Sequence, residues 1–243
     1  MRFIITTICL LGMLLMSHET TAQETYWKVK DMSGEEGEVP YDQRIVNDTV
    51  YIWANGSCDG LFCMHYYVFT QEGELVLFRE YPGLVSGKRV AMDDKYFYIA
   101  LRNSADTLNG FASFRLGKFD LKGDLVATEA YTIEDAPAPL DLFKVDLYHN
   151  YGCVAYDGKL VLYGAVEHLA DNFNDRRFQV LLMWYDQNDL SLDTMMLVDP
   201  VEHDVIWCWD ALVDDNGLLT LLVEYRDRGD HLVLVKYLSL IHI

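Results

Sequence analysis

The chain has 243 residues, 51% of them hydrophobic and 23% charged. That is long enough to bury a sizeable core and too apolar for intrinsic disorder. Lys and Arg number 19 against 38 Asp and Glu, a formal charge of -19, which argues against electrostatic binding to nucleic acid or to an anionic membrane surface.

The first residues read as a leader. Arg2 precedes an apolar run from Phe3 to Met16, and a short polar stretch follows, ending Thr20-Thr21-Ala22-Gln23. The run is too short to span a bilayer, and Ala22 with Thr20 two positions before it fits the small-residue rule for signal peptidase. Residues 1–22 are expected to be a secretion signal, which leaves a mature chain without a transmembrane segment that is secreted, periplasmic or held at the cell surface. No Cys follows the cleavage site, so a lipid anchor is disfavoured. Residues 23–40 then supply a strand, Tyr26-Trp27-Lys28-Val29, and an acidic connection holding Glu35, Glu36 and Glu38 between glycines.

From 41 to 237 one arrangement recurs four times. An apolar stretch runs into an acidic or Gly turn and a second apolar stretch follows: Arg44–Trp53 around Asn47-Asp48, Arg89–Ile99 around Asp93-Asp94, Cys153–Tyr163 around Asp157-Gly158, and Ala211–Leu221 around Asp214 to Gly217. Asp and Asn tolerate the positive φ of a tight hairpin turn, and Gly has no Cβ to penalise it. A second hairpin follows in the first three copies, at Val68–Val76, Lys118–Val126 and Met183–Ser191, centred on Gly73, Gly123 and Asn188. In the fourth copy His231–Tyr237 supplies a third strand.

Two consecutive hairpins make a four-stranded antiparallel meander. Asp48, Asp94, Asp157 and Asp215 recur at spacings of 46, 63 and 58 residues, in the range of propeller blades, and no helical periodicity competes. The expected fold is an all-β propeller of four-stranded blades, incomplete, with about four blades present; a β-sandwich is the alternative. On this turn-and-strand pattern, residues 41–237 resemble the β-propellers of secreted Bacteroidota proteins, without a sharp family motif.

The last residues, Leu238-Ser239-Leu240-Ile241-His242-Ile243, match the in-frame translation of a transposase sequencing adapter. They are expected to be foreign to the gene, with the native sequence interrupted after Tyr237. Of the five cysteines, Cys9 lies in the leader. Cys58, Cys63, Cys153 and Cys208 form an even set that permits two disulfides in an exported chain. Cys58 with Cys63 would close a short loop, and Cys153 with Cys208 would bridge adjacent blades. A zinc site is disfavoured, because neither CxxC spacing nor a paired His motif is present.

In a blade the connection entering the innermost strand and the connection from second to third strand lie at one face. His65, His168 and His231 are expected in the latter and His149 and His203 in the former, and the same connections are expected to hold Trp209 and Asp210. His149, His168, His203, Trp209, Asp210 and His231 are therefore the expected ligand-binding set. Trp207 and Trp209 alternate around Cys208, so two rings share one face of a strand; core packing is the expected role for one or both, and an exposed ring there would suit stacking on a sugar. Asp171-Asn172-Phe173-Asn174-Asp175 alternates oxygen ligands and is a weak Ca²⁺ candidate lacking the Gly and Glu of an EF-hand; no other cofactor is expected. GxSxG, P-loop, HExxH and GxGxxG motifs are absent, so no catalytic residue is assigned. Asp141, Asp146, Glu202 and Asp210 are acids able to project into a propeller channel. The function expected is an exported binding or interaction module for a glycan or protein. A propeller glycoside hydrolase or other polysaccharide-active enzyme, and a structural spacer, are the alternatives.

Overall fold

A computed structural model describes residues 39–103, 114–131, 143–144, 151–168, 178–198, 205–225 and 231–239. The leader, Tyr26–Val29 and the acidic connection through Glu38 lie outside the described residues, as do 240–243 of the adapter-like tail.

Each hairpin read from the sequence forms. The first blade is an antiparallel meander of β1 (Val39–Val46), β2 (Thr49–Cys58), β3 (Leu61–Thr70) and β4 (Leu75–Pro82), hydrogen-bonded in that order. The second holds β5 (Leu84–Met92), β6 (Tyr96–Asn103), β7 (Phe114–Asp120) and β8 (Leu125–Tyr131). A two-residue strand, β9 (Phe143–Lys144), was not foreseen; it pairs with the end of β11 (Lys159–His168). The third blade comprises β10 (Gly152–Tyr156), β11, β12 (Phe178–Asp186) and β13 (Leu192–Val198). In the fourth, β14 (Val205–Val213), β15 (Leu218–Tyr225) and β16 (His231–Ser239) are described. The first blade begins at Val39 rather than at residue 41, and β16 runs on through Leu238 and Ser239, which faces Leu218.

Turn chemistry sets the register. Asn47 and Asp48 take φ values of 49 and 60°, and Asp157 and Gly158 take 46 and 76°, the pair of left-handed residues a two-residue hairpin needs. In the second and fourth copies an aspartate closes the turn. Asp93 accepts from the backbone N–H of Lys95 and Tyr96 at 2.8 and 2.7 Å, and Asp214 from those of Asn216 and Leu218 at 2.9 Å each. One turn departs from expectation. In the β12–β13 hairpin the left-handed residue is Leu190 (φ 62°), not Asn188. Its side chain is buried in the core. Left-handed backbone costs about 1–2 kcal/mol, while burying a leucine contributes about 1.5–3 kcal/mol, so burial wins.

Between consecutive blades lies a separate apolar core. Tyr51, Trp53, Met64, Tyr66 and Val68 of blade one meet Val90, Phe97, Ile99, Leu101 and Phe119 of blade two. Tyr98, Ala100 and Leu116, on the other face of blade two, meet Cys153, Leu160, Leu162, Leu181, Met183 and Tyr185 of blade three. Val161, Tyr163, Val180, Leu182 and Trp184 then meet Cys208, Leu219, Leu221 and Val223 of the fourth. Successive residues of β6, β11 and β12 thus enter opposite cores, as the two-residue strand period requires. This is why those strands are apolar throughout rather than alternating. A parallel contact between β5 and β10, Arg89 beside Gly152, joins the inner strands of blades two and three. The fold is a β-propeller; a sandwich, with one core between two sheets, does not describe it.

At one end each of the first three blades holds a turn of the next. Tyr66 donates to the carbonyl of Leu121 at 3.0 Å and Tyr81 to that of Gly123, both in the β7–β8 turn. Lys118 donates to the carbonyls of Gln187 and Asn188 at 3.2 and 3.0 Å in the β12–β13 turn. Tyr156 donates to that of Asp215 in the β14–β15 turn at 3.3 Å. Bonds between blades are present at the opposite end too, where β5, β10 and β14 begin: Asn55 donates to the Ser86 carbonyl at 3.0 Å and Tyr151 to that of Val85 at 3.0 Å.

Candidate functional site

In a meander, the start of the first strand, the end of the second and the start of the third share one end of the sheet. Backbone pairing therefore places His168, at the end of β11 opposite Phe143, and His231, at the start of β16 opposite Tyr225, at the end foreseen. The side chains of both lie outside the described residues, as do His149, His203, Trp207, Asp141, Asp146, Glu202 and the Asp171–Asp175 segment. His65 is a correction. The β2–β3 turn is Asp59-Gly60, so His65 sits inside β3 opposite Ala54 and is buried, not in a connection.

Trp209 and Asp210 are a further correction: they lie on β14, the innermost described strand of its blade, rather than in the connection entering it, because the strand already begins at Val205. Trp209 is 39% exposed. Its indole N–H donates to the Glu224 carboxylate of β15, and the Lys88 ammonium of β5 lies 4.5 Å from the ring centroid. Partial burial lowers the Lys88 pKa. Asp210 accepts from Arg89 at 2.9 Å and from the Tyr163 hydroxyl at 3.4 Å. Burial foremost, and the Asp210 charge after it, push the Tyr163 phenol up, so it stays a donor at neutral pH. The backbones close tightly here: a Cβ on Gly152 would fall 2.5 Å from the Tyr163 hydroxyl and 2.7 Å from Arg89 Cβ. Residues of β5, β11, β14 and β15, more than a hundred positions apart at the extreme, thereby share one cluster.

A second acid-arginine unit joins blades one and two. Asp42 of β1 accepts from the Val90 N–H at 2.7 Å and pairs with Arg44 at 2.8 Å, while Arg44 donates to the Val90 carbonyl at 2.9 Å. Burial raises the Asp42 carboxyl above its ordinary range, with Arg44 opposing. Lys88, Arg89 and Tyr163 went unread as partners of Trp209 and Asp210 because they come from other blades. One signal was available: Arg44 and Arg89 hold a similar place in the first two inner strands, each followed directly by two or three apolar residues before the turn.

The cysteines divide. Cys58 and Cys63 form the expected disulfide, with Cα atoms 5.5 Å apart. Cys153 and Cys208 are buried free thiols, not an inter-blade bridge. The reason is the strand period. Cys153 faces the core between blades two and three, and it is its neighbour Val154 that shares the next core with Cys208.

No protein-family model matches the chain, and no curated protein matches it. Solved structures do. An endo-arabinase from Bacteroides thetaiotaomicron VPI-5482 is 12% identical, with 82% of this chain and 74% of that one covered at a TM-score of 0.50. The α-L-arabinofuranosidase PaAbf62A from Podospora anserina, solved in complex with cellotriose, is 13% identical over 85% of this chain and 65% of its own, with a TM-score of 0.47. A GH43 endo-arabinanase from Bacillus licheniformis is 13% identical over 83% and 74%, with a TM-score of 0.44. At this identity the endo-arabinase likeness is one of fold. Among the described residues no helix is long and apolar enough to cross a membrane.

Proposed function

We propose that this chain is an exported, glycan-directed propeller of the glycoside-hydrolase type that works at the end where its inner strands begin. Trp209 carries the reading: a ring 39% exposed on an inner strand, pinned by Glu224, with Lys88 over one face and the Arg89–Asp210 pair beside it. A flat apolar face ringed by fixed donors and acceptors suits a sugar, whose ring stacks while its hydroxyls hydrogen-bond. The endo-arabinase that shares the fold supports this class and makes arabinan the first polymer to try. The Cys58–Cys63 disulfide supports export.

One observation favours the second reading, a glycan-binding module without turnover. Asp42 and Asp210 are each held by an arginine, which occupies the lone pairs that a general acid or base would offer to substrate. One experiment separates the readings: the chain is incubated with arabinan, xylan and cellulose oligosaccharides, and reducing-end release and calorimetric binding are measured in parallel. Turnover of one polymer is expected, with Trp209→Ala weakening action on it roughly 2- to 12-fold, the equivalent of a 0.5–1.5 kcal/mol stacking contact. Binding without turnover would replace the hydrolase with the module. Neither binding nor turnover would defeat both.

A further inference from the structure

The function proposed above makes no use of His65. It is 1% exposed, and its Nε2 lies 3.2 Å from Cys58 Sγ. Cys63 and His65 are two positions apart on β3 and so project to one face of the sheet. Cys58, at the end of β2, reaches the same face to meet Cys63. Two sulfurs and one imidazole nitrogen all lie within 4.8 Å of one another, each on a buried residue. Directly opposite His65 on β4 is Glu80, with a carboxylate oxygen 4.0 Å from Nε2. A disulfide that only staples a loop needs neither the histidine nor the carboxylate.

We propose that Cys58, Cys63 and His65 form a zinc site that opens when their disulfide is reduced, with Glu80 supplying the fourth ligand. A tetrahedral zinc with Zn–S near 2.3 Å and Zn–N near 2.05 Å sets sulfur and nitrogen roughly 3.5 Å apart, so the Cys58–His65 contact is already close to the required edge. The sulfurs are the atoms that must separate. Reduction does this: two electrons from an external thiol reductant enter the S–S bond, the reductant becomes its own disulfide, and its two protons appear on Cys58 and Cys63. Zinc then displaces one proton from each sulfur and takes the imidazole lone pair. The hairpin thus has two covalent states, an oxidised staple suited to an oxidising compartment and a reduced metal clasp.

The test uses the full chain reduced with a phosphine under anaerobic conditions and titrated with Co²⁺, whose thiolate charge-transfer absorption reports sulfur ligation. One Co²⁺ per chain is expected, displaced by Zn²⁺, and none in the oxidised chain. Cys58→Ser or Cys63→Ser should abolish the band, whereas Cys153→Ser should leave it. His65→Gln should weaken binding by roughly 100-fold, at or beyond the 10–100-fold typical of losing a residue that only orients a ligand. A reduced, folded chain without the band, or a band that survives Cys63→Ser, overturns the proposal. Should reduction unfold the chain, return of its β-sheet circular dichroism on adding Zn²⁺ supports the site, and failure to return overturns it.

Discussion

Gly123 and Gly60 have nearly the same backbone, φ of 84° and 79°, and opposite surroundings. Alanine at Gly60 would place its Cβ in open space, so it meets only the left-handed backbone penalty of about 1–2 kcal/mol. Alanine at Gly123 would place a Cβ 2.6 Å from the Tyr81 hydroxyl, 3.0 Å from Arg79 Cγ and 3.1 Å from Tyr66 Cδ1. Tyr66 is fully buried between blades one and two, so it cannot swing aside. Overpacking of this kind costs about 1–3 kcal/mol, and displacing Tyr81 also breaks its hydrogen bond to the Gly123 carbonyl, worth about 0.5–1.5 kcal/mol. Gly123→Ala should therefore lose about 2–4 kcal/mol more than Gly60→Ala, read as the difference in unfolding free energy by urea titration with tryptophan fluorescence. Equal losses in the two variants would refute the argument that turn docking, rather than local backbone preference, holds the first two blades together.

Other consequences are open to measurement. Lys118→Met should lower stability by about 1–3 kcal/mol in the same titration, because the side chain is buried, donates to two carbonyls of the next blade and lies 4.5 Å from the Tyr96 ring; an unchanged midpoint would make it a spectator. Burial alone would raise the Asp93 carboxyl, but donors from Lys95, Tyr96, Tyr98 and Gln187 outweigh it and hold the pKa below its ordinary value. Its stabilising contribution is thus fully present above the unfolded carboxylate value, about 3.9, and is lost as pH falls through the lower folded value. Asp93→Asn should be about 1–2 kcal/mol less stable at neutral pH and lose less on acidification, checked by thermal unfolding between pH 7 and 2. Burial pushes the Cys153 and Cys208 thiols up and leaves both without exposed surface, so a thiol reagent should label them only after denaturant is added; rapid labelling of the native chain would show that those cores open.

Local chemistry made most of the fold legible. Most hairpins were marked by Asn, Asp or Gly at left-handed positions, and the β5–β6 turn by an aspartate that caps its own backbone; both preferences belong to the residue itself, whatever it packs against. Leu190 shows where such marking fails, since a leucine accepts that backbone only when the adjoining core repays it. The short loop between Cys58 and Cys63 likewise foretold its own closure.

What sequence could not decide is which face each side chain enters and which distant residue it meets. A shift of one position moves a strand residue into a different core, and this single step separates Cys153 from Cys208; His65 left the connection where it was expected because the β2–β3 ladder closes early, at Asp59-Gly60. The candidate site has the same dependence. Trp209 and Asp210 were visible as an aromatic and an acid near the start of a strand, but Lys88, Arg89 and Tyr163 come from blades two and three, and only packing of the blades brings them together. Turn formation is a local property of four or five residues; a site at the meeting of inner strands is a property of every blade between them.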